Sequence, residues 1–331
     1  MAHFMLTVEP LSVVDEAALE EFYVMHRQAH WFDFPADPPA CRASFIGQMV
    51  SPRPGRSILI RAAWSDGRPS GICVVGLDGN TPPTEAVLVC LSVHPDMRRQ
   101  GVGRQLLAAV RESLGGMGPK KLTAFTSSLA EKGPGDAFSE ETGAERVARY
   151  RRLALNIAER PRGDGHAVPA GYGLVRWRGG VPSESLEEFA AMSTRLAEDE
   201  AASSGNGTAE TFDAAKVETL YAVLRAWGLR TYITAVRHTH SGLLVGYSAL
   251  GIAASHHRDA SQWDTVVLPA HRGQGLGALL KETNLSWARE HEPELSSITT
   301  WNAVGNTAMM AVNESFGFRA DAWGSVQAWS W

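Results

Sequence analysis

The sequence of 331 residues contains only three cysteines, no long apolar run and no excess of basic residues. The cysteines follow neither a metal-ligand spacing nor an even disulfide framework, which favours reduced thiols and predicts no metal site. No apolar run approaches the roughly 20 residues of a membrane-spanning helix, and no basic, apolar leader opens the chain. With a net charge of −5, these absences predict a cytoplasmic protein that binds neither nucleic acid nor membrane.

What the chain does contain is typical of a folded protein, since 44% of its residues are hydrophobic and 20% are charged. Its length exceeds what one hydrophobic core usually organises, which favours two domains. The stretch from Arg160 to Gly171 combines proline, glycines and charges without apolar periodicity. We therefore predict an N-terminal domain at 1–160, a linker at 161–171 and a C-terminal domain at 172–331.

Each half of the sequence repeats one order of elements, in which meandering strands lead to a glycine-rich turn and a helix. The first turn lies in VHPDMRRQGVGRQLL, which begins at Val93, and the second lies in VLPAHRGQGLGALLK, which begins at Val267. Gly275 follows Gly101 by 174 residues (275 − 101), about half the chain. This spacing indicates a duplication of whole domains rather than of short repeats.

A strand, a glycine turn and a helix together favour the binding of an anion. The first turn of a helix has backbone N–H groups without intrahelical partners, and the helix dipole adds positive charge there. Glycines let a diphosphate reach those groups, and Arg98 or Arg272 can add a charged contact or brace the loop. The GxGxxG fingerprint of dinucleotide folds and the GxxxxGK loop of nucleotide triphosphatases are both missing.

Both turns match RxxGxG and resemble motif A of the GNAT superfamily of acyl-CoA N-acyltransferases. The segment TWNAVGNTAMMAVNESFGF, which ends at Phe318, resembles motif B of that superfamily. The two-copy arrangement is similar to that of tandem acetyltransferases such as mycothiol synthase. The resemblance implies an α/β (α+β) fold of two tandem GNAT-like domains. Each would be a mixed, mostly antiparallel sheet flanked by helices, with a V-shaped splay at the acyl-CoA site.

The resemblance also implies acetyl-CoA as cosubstrate, with contacts around motif A and the start of motif B. In the second copy the implied contacts are Val267, Leu268, Arg272, Gly273, Gln274, Gly275, Leu276, Gly277, Ala278, Asn302 and Asn306. In the first copy they are Val93, Arg98, Arg99, Gln100, Gly101, Val102, Gly103 and Arg104. The N–H of Val267 or Leu268 is the implied oxyanion donor, whereas simple helix capping is the alternative role of Asn302 and Asn306.

An acceptor amine attacks as the free base, so a proton acceptor is needed at neutral pH. The strand of the second copy offers Asp264, with His256 and His257 nearby as further candidates. The strand of the first copy offers only Cys90 and Ser92, which favours catalysis in the second domain. Family members often place this base an even number of residues before the valine at the strand end, and Asp264 lies three before it. Without a bulge Asp264 would face the other side of the sheet, where orienting a neighbour is its alternative role.

The family's general acid is often a tyrosine four residues before the motif B glycine, and Asn313 stands there in this sequence. A thiolate with a pKa near 8.5 leaves without obligatory protonation, so Asn313 is interpreted as a hydrogen-bond donor to the sulfur or as a packing residue.

Three functions compete on the sequence alone. The leading hypothesis is N-acetylation of a primary amine of a small molecule by direct attack through a tetrahedral intermediate. An alternative is a non-catalytic protein that binds or senses an acyl-CoA or another small molecule. A third is acylation of a protein N-terminus or lysine. The sequence carries no signal for the oligomeric state.

Overall fold

A computed structural model describes residues 5–158, 167–204 and 209–331. The chain divides into two compact units, Met1–Tyr150 with Ala322–Trp331, and Arg151–Asp321. The last ten residues thus lie in the first unit, although the sequence assigned them to the second domain. Most of the linker expected at 161–171 lies outside the described residues, so its boundaries stay a prediction. Among the described helices, none combines the length and the low polarity of a membrane-spanning segment.

The first unit is a mixed sheet with helices on both faces. Its strands follow the order β1-β2-β3-β4-β5-β12. The elements that begin in this part of the chain are β1 (Leu6–Pro10), α1 (Glu16–Asp33), α2 (Arg42–Val50), β2 (Arg56–Ser65), β3 (Arg68–Asp78), β4 (Ala86–Val93), α3 (Val102–Gly115), β5 (Lys121–Ser128), α4 (Pro134–Glu141) and β6 (Glu145–Asn156).

The second unit repeats this plan with the strand order β6-β11-β10-β9-β8-β7. Its elements are β7 (Tyr172–Arg178), α5 (Leu186–Ser204), α6 (Ala214–Ala226), β8 (Leu229–His238), β9 (Leu244–Ala253), β10 (Asp259–Val267), α7 (Leu276–His291), β11 (Ser297–Ala303), α8 (Thr307–Ser315) and β12 (Arg319–Ser330). The final strand β12 runs on into the first unit and pairs antiparallel with β5 from Trp323 to Ser330.

Helix starts follow local chemistry in the sequence. Asp15, Asp213 and Asn306 each accept a hydrogen bond from the backbone N–H three residues later, which satisfies one unpaired donor of α1, α6 and α8. Gly101 and Gly275 instead begin α3 and α7 in the left-handed region, with φ of 89° and 74°. These two glycine caps place no side chain of their own over the helix N-termini.

Alternate residues of each strand face opposite layers of helices. In the second unit, α5 and α6 share a core with Ile233, Ala235 and Tyr247. Residues of α7 pack on the other face, where Tyr232 and Leu250 lie in the same core as Leu285. The first unit distributes α1 and α2 on one face and α3 on the other in the same way.

Both sheets open into a splay beside the glycine turn. Strands β10 and β11 are parallel partners only from Asp259–Ser261 to Ser297–Thr299, and β10 then continues to Val267 without pairing to β11. In the first unit, β4 and β5 pair over three positions, Ala86–Leu88 with Leu122–Ala124. The V-shaped splay expected from the sequence is therefore present in both units.

Candidate active site

The glycine turn of the second unit is open at the N-terminus of α7. Gly273 and Gly275 have φ of 79° and 74°, which non-glycine residues rarely adopt. A Cβ atom built on Gly273, Gly275 or Gly277 would meet no atom within 4 Å. Leu276 is buried in the core and anchors the helix, so only its backbone can face a ligand. The result is an unobstructed cradle of backbone N–H groups.

The motif A arginines brace the turns from the side. Arg272 donates through Nε to the carbonyl of Val267 (2.9 Å) and through Nη2 to Asp199 (2.7 Å). Arg98 makes the equivalent bonds to Val93 (3.3 Å) and, as a bidentate pair of 2.6 and 2.9 Å, to Asp33. Each arginine ties the end of its strand to the C-terminal part of the first long helix of its unit, α1 or α5. Of the two roles that the sequence left open, bracing is the one these contacts perform.

The turn of the first unit is more crowded. A Cβ atom on Gly103 would lie 3.2 Å from a ring carbon of Phe138, whereas the equivalent Gly277 faces open space. Arg104 and Arg99 both lie near Glu141 of α4, at 2.9 and 3.7 Å. The second unit has Gly273 and Ala278 at the places of these arginines.

Three other predicted contacts of the first unit lie around this turn. Gln100 donates to the carbonyl of Asp96 (2.7 Å). Val102 is buried in the core, as Leu276 is in the second unit. Gly101 has open space where its Cβ would be. In the second unit, Gln274 is exposed and Ala278 is half-buried in the first turn of α7.

At the end of β10, one backbone N–H group points into the splay. Leu268 N–H donates to the carbonyl of Val245 (2.9 Å), so this amide is already used within the sheet. Val267 is paired with Gly246 and directly precedes Leu268. Hydrogen-bonded and non-hydrogen-bonded pairs alternate along an antiparallel ladder, so the Val267 N–H does not bond to β9. Its N–H therefore faces the side of β11, and Val267 is the better placed of the two predicted oxyanion donors.

A β-bulge in β10 decides where Asp264 points. Gln262 pairs with Leu250 and Thr265 pairs with Ser248, so Trp263 and Asp264 together oppose one residue of β9. Asp264 is exposed on the α5 and α6 face, where it accepts a hydrogen bond from the Tyr247 hydroxyl over 3.3 Å. The bulge that is needed to turn Asp264 to this face of the sheet is therefore present.

The bulge is held from both faces of the sheet. The buried amide of Gln262 donates to the carbonyl of Ala249 (2.9 Å) and to Ser248 Oγ (3.1 Å). On the opposite face, the ring of Trp263 occupies the space above Gly251, where a Cβ atom would lie 2.0 Å from Cζ2. Any side chain larger than hydrogen at position 251 would displace Trp263, and with it the neighbouring Asp264.

Tyr247 connects Asp264 to the helices. Its hydroxyl also lies 3.2 Å from Ser193 Oγ of α5. Burial, together with the negative charge of Asp264, raises the pKa of Tyr247 well above its ordinary value, and the pKa of Tyr221 is raised for the same reasons. Both phenols are therefore neutral at physiological pH, and Tyr247 acts as a hydrogen-bond donor to the carboxylate.

A second polar network lies between α7, α8 and the end of β11. Asn313 is fully buried; its Oδ1 accepts from Lys281 Nζ, and its Nδ2 donates to Asn302 Oδ1 (2.7 Å). Burial lowers the pKa of Lys281 to about 8. Within the described part of the chain, no carboxylate forms an ion pair with Lys281. Asn306 is used as the cap of α8.

Sequence reasoning missed Lys281, Tyr247 and Gln262. Lys281 stands in an amphipathic helix, where a lysine is usually solvated. Its place in the helix that follows the motif A turn is the one signal that could have drawn attention to it. Tyr247 stands in a strand of small and apolar residues. The hydroxyl of a tyrosine inside such a strand needs a partner, which is a usable signal.

The described residues fit an acyl-CoA in the second unit. The cradle at Gly273, Gly275 and Gly277 admits a diphosphate, and the splay beside Val267 leaves an unpaired backbone edge next to it. A group of three or more His, Cys, Asp or Glu side chains arranged for a metal ion is not found among the described residues.

Comparisons with known proteins agree with this arrangement. The profile of the acetyltransferase (GNAT) family matches residues 18–130 and 198–318, one stretch in each half of the chain. A mycothiol acetyltransferase from Renibacterium salmoninarum is 27% identical over 258 residues, which cover 75% of this chain and 68% of the relative. A second, from Corynebacterium urealyticum, is 35% identical over 88 residues, which span only 27% of this chain and 23% of that relative.

Solved structures show the same two-unit plan. A tandem GNAT protein from the clavulanic acid biosynthesis pathway superposes with a TM-score of 0.86 at 27% identity, covering 98% of each chain. A GCN5-related N-acetyltransferase from Sphaerobacter thermophilus shares the fold at a TM-score of 0.64 and 14% identity, with 98% and 95% of the two chains covered. With two family matches, two splays and two glycine turns, the chain belongs to the GNAT acetyltransferase family in its tandem form.

Proposed function

We propose that this protein transfers an acetyl group from acetyl-CoA to a primary amine of a small molecule, and that the second unit performs the reaction. The observation that carries the proposal is the bulge in β10, which turns the Asp264 carboxylate toward α5 and α6 beside Tyr247. The names of the curated relatives support a small-molecule acceptor. The glycine cradle at α7 supports an acyl-CoA donor, because its N–H groups suit a diphosphate.

In this proposal, acetyl-CoA supplies the acyl group, and the residues of the second unit position it. Backbone N–H groups at Gly275 and Gly277 hold the diphosphate, while Arg272 keeps the turn fixed against Asp199. The N–H of Val267 points into the splay and is the donor for negative charge that develops on the acyl oxygen. Fixed backbone dipoles suit this task because they need no reorganisation during the reaction.

Asp264 is proposed as the group that binds the ammonium form of the acceptor and accepts its proton. A carboxylate attracts an ammonium group, and its exposure leaves it open to solvent. Tyr247 fixes the orientation of the carboxylate, which leaves its remaining lone pairs for the amine. A proton acceptor within hydrogen-bond reach of the amine typically contributes about 10²- to 10⁴-fold to the rate.

Lys281 is proposed to replace the missing tyrosine of motif B. Asn313 stands at the tyrosine position, but an amide does not donate a proton as an acid, and both ends of this amide already have partners. The Lys281 ammonium that it holds carries a positive charge and a removable proton. Such a group can stabilise a departing thiolate, whose pKa is near that of the ammonium.

The experiment that tests this function measures release of free CoA thiol and mass gain of the amine in the same reaction. Acetyl-CoA is presented with a panel of small primary amines and with peptides carrying a free N-terminus or lysine. We expect release of CoA equal to amine modification with small amines. If acetyl-CoA binds but no acceptor in the panel causes release of free CoA thiol, the proposal is contradicted and a binding or sensing protein is favoured. Turnover with peptides alone would favour acylation of proteins.

A further inference from the structure

The first unit contains a cavity at the place where the second unit has Asp264. It is partly open to solvent, has a volume of about 180 Å³ and lies between α1, α2, β3 and β4. Strand β4 carries a bulge at the same place as β10, since Val74 pairs with Cys90 and Val75 pairs with Leu88. Counting back 174 residues from Asp264 (264 − 174) gives Cys90, and Cys90 lines this cavity. The two units therefore carry different groups at this equivalent position, a carboxylate at Asp264 and a thiol at Cys90.

The walls of the cavity carry no formal charge. Its lining, which lies within the described residues, includes no aspartate, glutamate, lysine or arginine. It combines the polar side chains of His26, Ser44 and Gln48 with Ala40, Cys41, Phe45, Met49, Val74, Val89 and Cys90. Burial raises the pKa of the Cys90 thiol to about 12, so the thiol is protonated at neutral pH. Burial, with a contribution from nearby His30, lowers the pKa of His26 to about 4, so its imidazole is neutral.

His26 is one of three polar side chains that line the cavity, together with Ser44 and Gln48. Its ring stacks on Phe45 with 4.6 Å between ring centroids, and its Nδ1 lies 3.7 Å from Cys90 Sγ. We assign the thiol as the donor to Nδ1, which places the ring proton on Nε2. A cationic amine is disfavoured because no carboxylate of the described residues lines the cavity to pair with its charge. The size suits a single ring, since an apolar cavity of about 150 Å³ in another protein binds benzene.

We propose that this cavity of the first unit is a binding site for an uncharged monocyclic aromatic molecule, with His26 as its hydrogen-bond donor. The site is separate from the acetyl-transfer site proposed in the second unit and does not depend on it. The equivalent position in the first unit is Cys90, which lacks the carboxylate that would hold an ammonium group. The Phe45 ring and the sulfur atoms of Cys41, Met49 and Cys90 in the lining favour flat rings.

The test uses 4-fluorophenol as the probe and follows its fluorine NMR signal and calorimetric heat with the whole protein. Val89 is 40% exposed and lines the cavity, so Val89→Phe fills the space with little effect on folding. The matched control is Val50→Phe, because Val50 ends α2, is 51% exposed and does not line the cavity. A second probe, 4-fluorobenzylamine, has the same ring with a positive charge at neutral pH.

We expect 4-fluorophenol to bind the wild type and Val50→Phe equally, and to bind Val89→Phe at least tenfold more weakly. The charged probe should bind the wild type at least tenfold more weakly than the phenol. Asp264→Asn should leave phenol binding unchanged, which separates this site from the proposed reaction. The inference is overturned if millimolar 4-fluorophenol does not bind, if Val89→Phe binds it normally, or if the charged probe binds as tightly.

Discussion

The Tyr247 hydroxyl donates a hydrogen bond to Asp264 over 3.3 Å, and the two side chains meet because β10 carries one extra residue opposite Ala249. Replacing Asp264 with asparagine keeps the shape and removes the proton acceptor. We expect kcat/KM for the amine to fall about 10²- to 10⁴-fold, with binding of acetyl-CoA unchanged. Steady-state kinetics and calorimetry measure the two quantities.

The matched control for this change is Asp259→Asn at the start of the same strand. Asp259 accepts from Ser297 Oγ over 2.5 Å and lies outside the bulge. Its replacement should leave kcat/KM within about twofold of the wild type, since it removes no group from the site. Equal losses for both variants would show that Asp264 has no special role in the reaction.

Gly251→Ala tests the support of the bulge, and Gly76→Ala is its counterpart in the first unit. A Cβ on Gly251 would lie 2.0 Å from the ring of Trp263, whereas one on Gly76 would lie 3.5 Å from Val89 Cγ2. We expect Gly251→Ala to lower the free energy of unfolding by about 1 to 3 kcal/mol through overpacking and to reduce activity with it. Gly76→Ala should change both only slightly. Denaturant melts and activity assays compare the two, and equal effects would refute the argument.

Gly277→Glu tests the cradle of α7 more directly than a change at Gly275, whose positive φ would strain any side chain. Position 277 has open space for a Cβ and belongs to the first turn of the helix. A glutamate there opposes a diphosphate, so acetyl-CoA should bind at least tenfold more weakly. Stability should not fall, because an acidic residue in the first turn suits the helix dipole.

Gly277→Ala is the control for that change and should bind acetyl-CoA nearly as the wild type does. Calorimetric titration of acetyl-CoA into both variants gives the comparison. Retained affinity in Gly277→Glu would move the cofactor site away from α7. Gly103→Ala in the first unit meets Phe138 at 3.2 Å and tests whether that turn tolerates any side chain.

The pair Arg98 and Asp33 should contribute measurably to stability. The two bonds are bidentate, and the Arg98 side chain is only 24% exposed. A double-mutant cycle with Arg98→Met and Asp33→Asn should give a coupling free energy of about 1 kcal/mol. The exposed pair Lys132–Glu140 serves as the control and should show coupling near zero. Similar values for the two pairs would argue against a bracing role.

Lys281 should make stability depend on pH in the alkaline range. Burial lowers its pKa in the folded protein from 10.5 to about 8. Between these values the unfolded chain binds more protons, so this residue makes the free energy of unfolding rise with pH. The destabilisation caused by burying the charged Lys281 ammonium is fully present below pH 8 and is removed above 10.5, the pKa in the unfolded chain. Lys281→Met should therefore be destabilised relative to wild type more at pH 10 than at pH 7.5. Denaturant melts at both pH values measure this difference, and a constant difference would contradict the burial argument.

The glycine turns, the helices that follow them and the splay could be predicted from the sequence. Glycine at 101 and 275, followed by apolar residues at helical spacing, indicates a turn and a helix from neighbouring residues alone. The resemblance to the family supplied the splay. The direction of Asp264 could not be fixed, because a bulge depends on the register between β10 and β9. Lys281 was also out of reach, since its partner Asn313 lies 32 residues away in the sequence.

The return of β12 to the first unit has a consequence for biosynthesis. Strand β5 finds its partner only when residues 323–330 have left the ribosome, so the first unit cannot finish folding before the second has been made. A fragment that ends near residue 160 would expose the edge of β5, and unpaired strand edges promote aggregation. A fragment that contains the whole first unit therefore needs residues 322–331 joined to residues 1–150 through an added linker.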